Sequence, residues 1–166
     1  MNSQGPESAV LDGAADRLIG LLSLLVIDDD PIQRVLIASA AAKAGYEVTE
    51  ATSCAEGIAK IQARNFSCVT LDLRLEDGDG SDVLRAMAAA HYQGPVIVIS
   101  GMDARRRSAS RALARALGMK LLHSFPKPID LAALRISLAN LRSGVAGLPI
   151  VHSWGEVCGP RFEEQS

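Results

Sequence analysis

Short runs of Leu, Val and Ile recur through this chain, and most of them stop abruptly at a polar group that a buried strand would not choose at random. Leu24-Leu25-Val26-Ile27 runs into Asp28-Asp29-Asp30, and Cys68-Val69-Thr70-Leu71 into Asp72. Pro95-Val96-Ile97-Val98-Ile99 runs into Ser100, and Lys120–Phe125 is followed by Lys127 and Pro128. Tyr46-Glu47-Val48-Thr49-Glu50 alternates instead, as a half-buried edge strand does. The continuous runs are too short for helices and read as strands buried on both faces, the mark of a parallel sheet.

Helical patterning fills the intervals. Ile32–Ala44 is Ala-rich, with Gly45 placed to stop it. Ser53 is positioned to cap a helix reaching Arg64, with Glu56 completing a capping box. After a turn at Gly78-Asp79-Gly80, Ser81 or Asp79 caps a helix reaching Ala90. Asp103–Leu117 and Ile129–Leu141 are the last two. Strands alternating with helices predict an α/β fold with helices on both faces of the sheet. Right-handed crossovers favour a doubly wound, flavodoxin-like five-stranded parallel sheet of order 2-1-3-4-5. In such sheets ligands bind beyond the carboxyl ends of the strands. Asp28, Asp29, Asp72, Ser100 and Lys127 all fall there, and the order makes their strands neighbours.

The expected organisation is an N-terminal extension over 1–20, one domain over 21–142 and a C-terminal tail or linker over 143–166. Val10–Leu22 is a candidate short helix, and the Gly- and Pro-interrupted tail holds the only tryptophan, Trp154. With 48% hydrophobic and 22% charged residues the chain is neither disordered nor coiled-coil in character. A net charge of −2 gives no general attraction to nucleic acid, which is not expected as a partner. Cys54, Cys68 and Cys158 form no disulfide or zinc framework and read as thiols of a cytoplasmic protein. His152 and Cys158 alone do not make a metal site. The apolar stretch Leu18–Ile27 is too short to span a bilayer, and the acids before it are not those of a secretory leader, so no membrane association is expected.

Carboxylates crowded together repel unless a cation sits among them. Hard oxygens at this density suit Mg2+, which keeps several waters and takes one or two carboxylates plus phosphate oxygens. Lys127 and Ser100 are placed to hold remaining phosphoryl oxygens, which leaves Asp72 as a candidate nucleophile.

Four segments, in this order and spacing, resemble the receiver domain of two-component response regulators, of the chemotaxis-receiver type. They are Leu24–Pro31, Leu71–Gly80 (Leu-Asp-Leu-Arg-Leu-Glu-Asp-Gly-Asp-Gly), Val98-Ile99-Ser100-Gly101 and Phe125-Pro126-Lys127-Pro128. The resemblance implies that Asp72 is the phosphoacceptor and that Asp29 binds Mg2+ directly while Asp28 acts largely through water. It implies that the Arg74 backbone carbonyl is a further metal ligand, and that Ser100 and Lys127 bind the phosphoryl group. The implied donor is a phosphohistidine on a sensor histidine kinase or phosphotransfer protein. The implied readers are a downstream protein or separate output domain, with a homodimer as a further option. Such a receiver is a signalling module that assists its own phosphorylation and dephosphorylation, not an enzyme acting on others.

This chain departs from the family pattern at two points. Glu76 stands where the family usually has proline, and Ser124 stands where it often has Tyr or Phe. Phe125, one residue on, points to the other face by strand alternation, so the resemblance does not extend to an aromatic switch. Two other functions compete. One is a degenerate receiver that binds partners without phosphorylation. The other is a phosphatase of the haloacid dehalogenase type, for which Asp28 and Asp30 would supply Asp-x-Asp, but which needs a later acidic pair. The arginines Arg105, Arg106, Arg107, Arg111 and Arg115 read as a solvated helix face, or as a docking surface for an acidic partner, a second copy or nucleic acid.

Overall fold

A computed structural model describes residues 22–146, 150–151 and 157–158. The elements in chain order begin with β1 (Leu22–Ile27), α1 (Pro31–Lys43), β2 (Tyr46–Ala51), α2 (Cys54–Ala63) and β3 (Cys68–Leu71). A small hairpin follows, β4 (Arg74–Leu75) and β5 (Gly78–Asp79), then α3 (Gly80–Ala89) and β6 (Pro95–Ser100). The chain continues through α4 (Ala104–Ala116), β7 (Lys120–Pro126) and α5 (Leu131–Ala146), with a second hairpin, β8 (Ile150–Val151) and β9 (Val157–Cys158). The main sheet has five strands in the order β2-β1-β3-β6-β7, all parallel. This is the expected 2-1-3-4-5 arrangement once the hairpin strands are set aside.

The unbroken apolar runs follow from burial on both faces. Leu25, Ile27, Val69, Leu71, Val96 and Val98 point into one core with Ile61 of α2, Leu84 and Met87 of α3 and Ala114 of α4. Leu24, Val26, Ile97 and Ile99 point into the other with Ile37 of α1 and Leu134 and Leu138 of α5. At the β2 edge the Tyr46 hydroxyl donates to the Leu138 carbonyl across 2.8 Å and ties the edge strand to α5. Gly45 ends α1 at φ +89°, where its missing side chain also leaves room for the Arg142 guanidinium.

Several local expectations need correction. Gly78-Asp79-Gly80 is not a simple turn. Arg74 pairs with Asp79 and Leu75 with Gly78, so the reversal lies at Glu76-Asp77, and Asp79 rather than Ser81 caps α3. Short-range turn signals missed this hairpin because it is held from outside, with Leu75 buried in the core. The capping box at Ser53 is half formed: Ser53 Oγ accepts from the Glu56 amide, but Glu56 turns to Thr52 and Lys60 instead of the Ser53 amide. Those partners pull the Glu56 carboxyl down to about 2. The last helix starts at Leu131 and continues to Ala146, past the expected end at Leu141. The tail carries the β8–β9 pair. The candidate helix at Val10–Leu22 lies outside the described residues except for Leu22, which is strand, and Trp154 and His152 lie outside them too. Among the described residues no helix is long and apolar enough to cross a membrane.

Candidate functional site

Parallel strands in register bring their ends to one level. Ile27 lies beside Leu71, so Asp28 and Asp72, each one residue later, emerge side by side. Ser100 and Pro126 are partners on the adjacent pair, which puts Lys127 next to them. Asp28, Asp72 and Ser100 are almost wholly buried, while Asp29 is half-buried. Carboxylate oxygens of Asp28, Asp29 and Asp72 all lie within 4.8 Å of one another.

Lys127 is the cation in this cluster. Its Nζ donates to Asp28 Oδ2 at 3.0 Å and to Asp72 Oδ2 at 2.8 Å. Its backbone amide donates to the Ser100 carbonyl at 3.2 Å, so the main chain ties β7 to β6 while the side chain reaches the ends of β1 and β3. Burial pushes the Asp72 carboxyl above the ordinary carboxylate range; Lys127 and the Arg74 amide pull against that push, and Asp28 adds to it. For Lys127, burial acts downward, but the hydrogen bonds to Asp72 and Asp28 outweigh it and the net direction is up.

The surrounding backbone is organised around these acids. The Arg74 amide donates to Asp72 Oδ1 at 3.0 Å, and the Glu76 amide to Asp29 Oδ2 at 3.0 Å. The Asp30 amide donates to Asp28 Oδ1 at 2.9 Å. Ser100 Oγ accepts from the Met102 amide at 3.2 Å, and the Arg107 guanidinium holds the Met102 carbonyl. Two of these supports were not singled out as site residues from sequence. Arg34 NH1 donates to the Asp28 carbonyl at 2.8 Å, and Asp77 holds the amino end of α2. Only the position of Arg34, one turn into the helix that follows the aspartates, hinted at its role.

The structure brings Asp28, Asp29, Asp72 and Lys127 together and places Ser100 on the neighbouring strand end. Asp30 is outside the cluster: it caps α1, accepting from the Ile32 and Gln33 amides. Asp130 likewise accepts from the Ala133 amide. Asp30 and Asp130, two of the acids that a haloacid dehalogenase-type phosphatase would draw on, are thus occupied as helix caps. Phe125 packs into the core under α1 and α5, on the face opposite Ser124, whose buried Oγ has no hydrogen-bond partner among the described residues. Leu122 is an extra residue opposite the Val96–Ile97 step, so the strand reverses parity there.

Gly80 keeps the loop that follows Asp72 close to α3. A Cβ at that position would lie 2.7 Å from Leu73 Cα and 2.9 Å from the Asp72 carbonyl oxygen, both backbone atoms. Gly80→Ala is therefore expected to cost about 1–3 kcal/mol in urea unfolding and to displace Asp72. An unchanged urea midpoint would show that the loop yields freely.

The profile of the family described as "Response regulator receiver domain" matches residues 24–139. The photosynthetic apparatus regulatory protein RegA of Cereibacter sphaeroides is 38% identical over 98 residues, covering 59% of this chain and 50% of RegA. The chain spans about half or less of such curated relatives. Among solved structures, the chemotaxis protein CheY4 of Vibrio cholerae superposes with a TM-score of 0.62 at 21% identity, over 74% of this chain and 99% of CheY4. A Burkholderia pseudomallei response regulator with a phosphorylated aspartic acid and a calcium ion gives a TM-score of 0.60 at 22% identity, over 76% of this chain and 72% of that one.

Proposed function

The chain belongs to the response regulator receiver domain family, the signalling domains of two-component systems, and from that premise we propose that it accepts a phosphoryl group on Asp72 in a Mg2+-dependent reaction. The observation that carries this reading is the contact of one ammonium, Lys127, with two buried carboxylates that share a corner with a third. Three clustered carboxylates are a fitting donor set for a hard divalent cation. Asp28, Asp29, Asp72 and the Arg74 carbonyl would hold Mg2+. Bound there, it would neutralise charge on the phosphoryl oxygens.

The chain's own residues do the rest. An Asp72 carboxylate oxygen attacks phosphorus in line with the phosphohistidine nitrogen; the P–N bond breaks, a P–O bond forms, and the histidine leaves as neutral imidazole, the proton being the one already on its other ring nitrogen. Burial and Asp28 raise the free energy of ionised Asp72, which favours its conversion to an acyl phosphate. Lys127 shifts from the carboxylate to the phosphoryl oxygens, and Ser100 Oγ supplies a hydroxyl donor. Hydrolysis reverses the state: water attacks phosphorus and returns Asp72 and inorganic phosphate. Arg74 and Met102 lie two residues beyond Asp72 and Ser100, and bulky side chains at those positions would hinder the attacking water.

A sensor histidine kinase or phosphotransfer protein is the proposed donor, and a downstream protein or separate output domain the reader. Large apolar side chains on α1 support the first partner: Ile32 is 69% and Val35 64% exposed, on the helix that starts at the acidic cluster. The charge on the other side bears on self-association. Residues 104–142 hold nine Lys and Arg and a single acid, Asp130. Symmetric pairing through α4 would set like charges against each other, so a homodimer is not expected through that face. We place the receiver unit at 21–142, between an extension at 1–20 and a tail at 143–166, in the cytoplasm.

The test is to incubate the full chain with Mg2+ and acetyl phosphate and read intact mass and the modified peptide. One phosphoryl group on Asp72, absent when EDTA is present, is the expected result. A chain that never gains mass under these conditions, and binds no fluoroberyllate, would be a phosphorylation-independent binding module.

A further inference from the structure

We propose that Asp77 is a positioning residue for the acidic site: its carboxylate, docked on the amino end of α2, holds the β4–β5 hairpin so that Arg74 and Glu76 stay against Asp72 and Asp29. The inference rests on the reading of that site as a Mg2+ and phosphoryl site.

The hydrogen bonds around the start of α2 come from two sources. Ser53 is the local cap: its Oγ accepts from Glu56 at 3.1 Å and its carbonyl from Gly57 at 3.0 Å. Asp77 arrives from a different part of the chain. Its Oδ1 accepts from the Cys54 amide at 2.8 Å and its Oδ2 from the Ala55 amide at 3.1 Å. Both oxygens are used, at the positive end of the helix, and bonds to an ionised acceptor are the stronger kind.

The hairpin needs such an anchor. Its strands are two residues each, too short to be stable by themselves. Its outer side carries the backbone that meets the acids: Arg74 N–H on Asp72 Oδ1 and Glu76 N–H on Asp29 Oδ2. Leu75 is buried in the core, and Asp77, itself exposed, docks on α2. Asp77 directly follows Glu76, the residue standing where the family usually has proline. A ring that would stiffen the loop from within is replaced by an ionic clamp from outside. Groups that orient the direct ligands of a metal typically matter by 10–100-fold in affinity.

The test compares the unaltered full chain with Asp77→Ala, Asp77→Asn and Ser53→Ala, each titrated with Mg2+ by calorimetry and unfolded in urea. Asp77→Ala and Ser53→Ala each remove a cap of the same helix and are expected to lower the urea midpoint alike. Of these two, Asp77→Ala alone is expected to weaken Mg2+ binding, by about tenfold or more. Asp77→Asn keeps one carbonyl acceptor and is expected to fall between, and it serves alone if the alanine variant does not fold. Saturating Mg2+ is expected to restore acetyl phosphate labelling of Asp77→Ala. Equal Mg2+ affinity in the unaltered and Asp77 variants would overturn the inference, as would an equal loss in Ser53→Ala. Absence of Mg2+ binding by the unaltered chain would instead overturn the site reading itself, and this inference with it.

Discussion

Asp72→Asn is expected to abolish phosphoryl uptake while leaving the fold at least as stable at pH 7. Loss of uptake follows from chemistry, since an amide oxygen is too weak a nucleophile to displace the donor at neutral pH. The stability expectation follows from burial. Asp72 is held in the native state with its pKa raised, so the folded protein binds its proton more tightly than the unfolded chain does. Below the ordinary Asp value of about 3.9 both states are protonated and the residue costs nothing. As the pH climbs from there through the raised value, the unfolded chain ionises first and stability falls; above the raised value the penalty is constant. Asparagine removes that penalty and still accepts from Lys127. Urea unfolding in EDTA should show the variant gaining on the parent between acid and neutral pH, with the two converging at low pH. A variant less stable at pH 7 than at pH 3, relative to the parent, would mean that the Lys127 contact outweighs burial.

Lys127→Met is expected to have the largest effect on stability, and an effect of opposite sign on Mg2+ affinity. Methionine keeps much of the packed stem but leaves Asp28 and Asp72 facing each other without their cation. Removing a partner from buried charge costs about 1–3 kcal/mol or more, and the lysine side chain is 20% exposed, which favours the lower part of that range. Lys127 has its pKa raised by its partners, so its contribution is fully present below the ordinary lysine value of about 10.4 and is lost only as the pH rises through the higher folded value. The deficit should therefore persist across neutral pH. Mg2+ should repair much of it, because the ion and the ammonium compete for the same Asp28 and Asp72 oxygens. Thermal unfolding is the check: a larger Mg2+-induced rise in Tm for the variant than for the parent, with Mg2+ affinity increased severalfold. Unchanged affinity would mean that the lysine and the ion do not share those oxygens. Phosphoryl uptake in this variant should fall despite tighter Mg2+ binding, because nothing replaces the ammonium on the transferred oxygens.

Much of this was legible before any coordinates. The doubly apolar strands name themselves, because a strand covered on both faces has no use for alternation, and those runs are the β1, β3 and β6 that form the centre of the sheet. Asp28, Asp72, Ser100 and Lys127 were readable as candidate site residues because Ser100 ends a strand and the other three each directly follow one, and parallel register turns such offsets along the chain into adjacency. The caps at Ser53 and Asp79 were equally local, each resting on a side chain meeting an amide two or three residues away.

What composition and spacing could not decide are contacts between segments whose separation carries no period. Asp77 reaches the Cys54 amide from 23 residues away, and the Glu76 amide reaches Asp29 from 47. Neither interaction has a propensity or a repeat to announce it. The β4–β5 hairpin exists for the same reason, since a pair of two-residue strands is stabilised by what it packs against rather than by its own residues. The chain alone thus determined the layers, the strand order and the acids at one edge, because burial and helix signals act over a few residues. The tertiary structure decided which oxygens remain available for an ion and which are taken by backbone amides, because that depends on where independently folded segments come to rest.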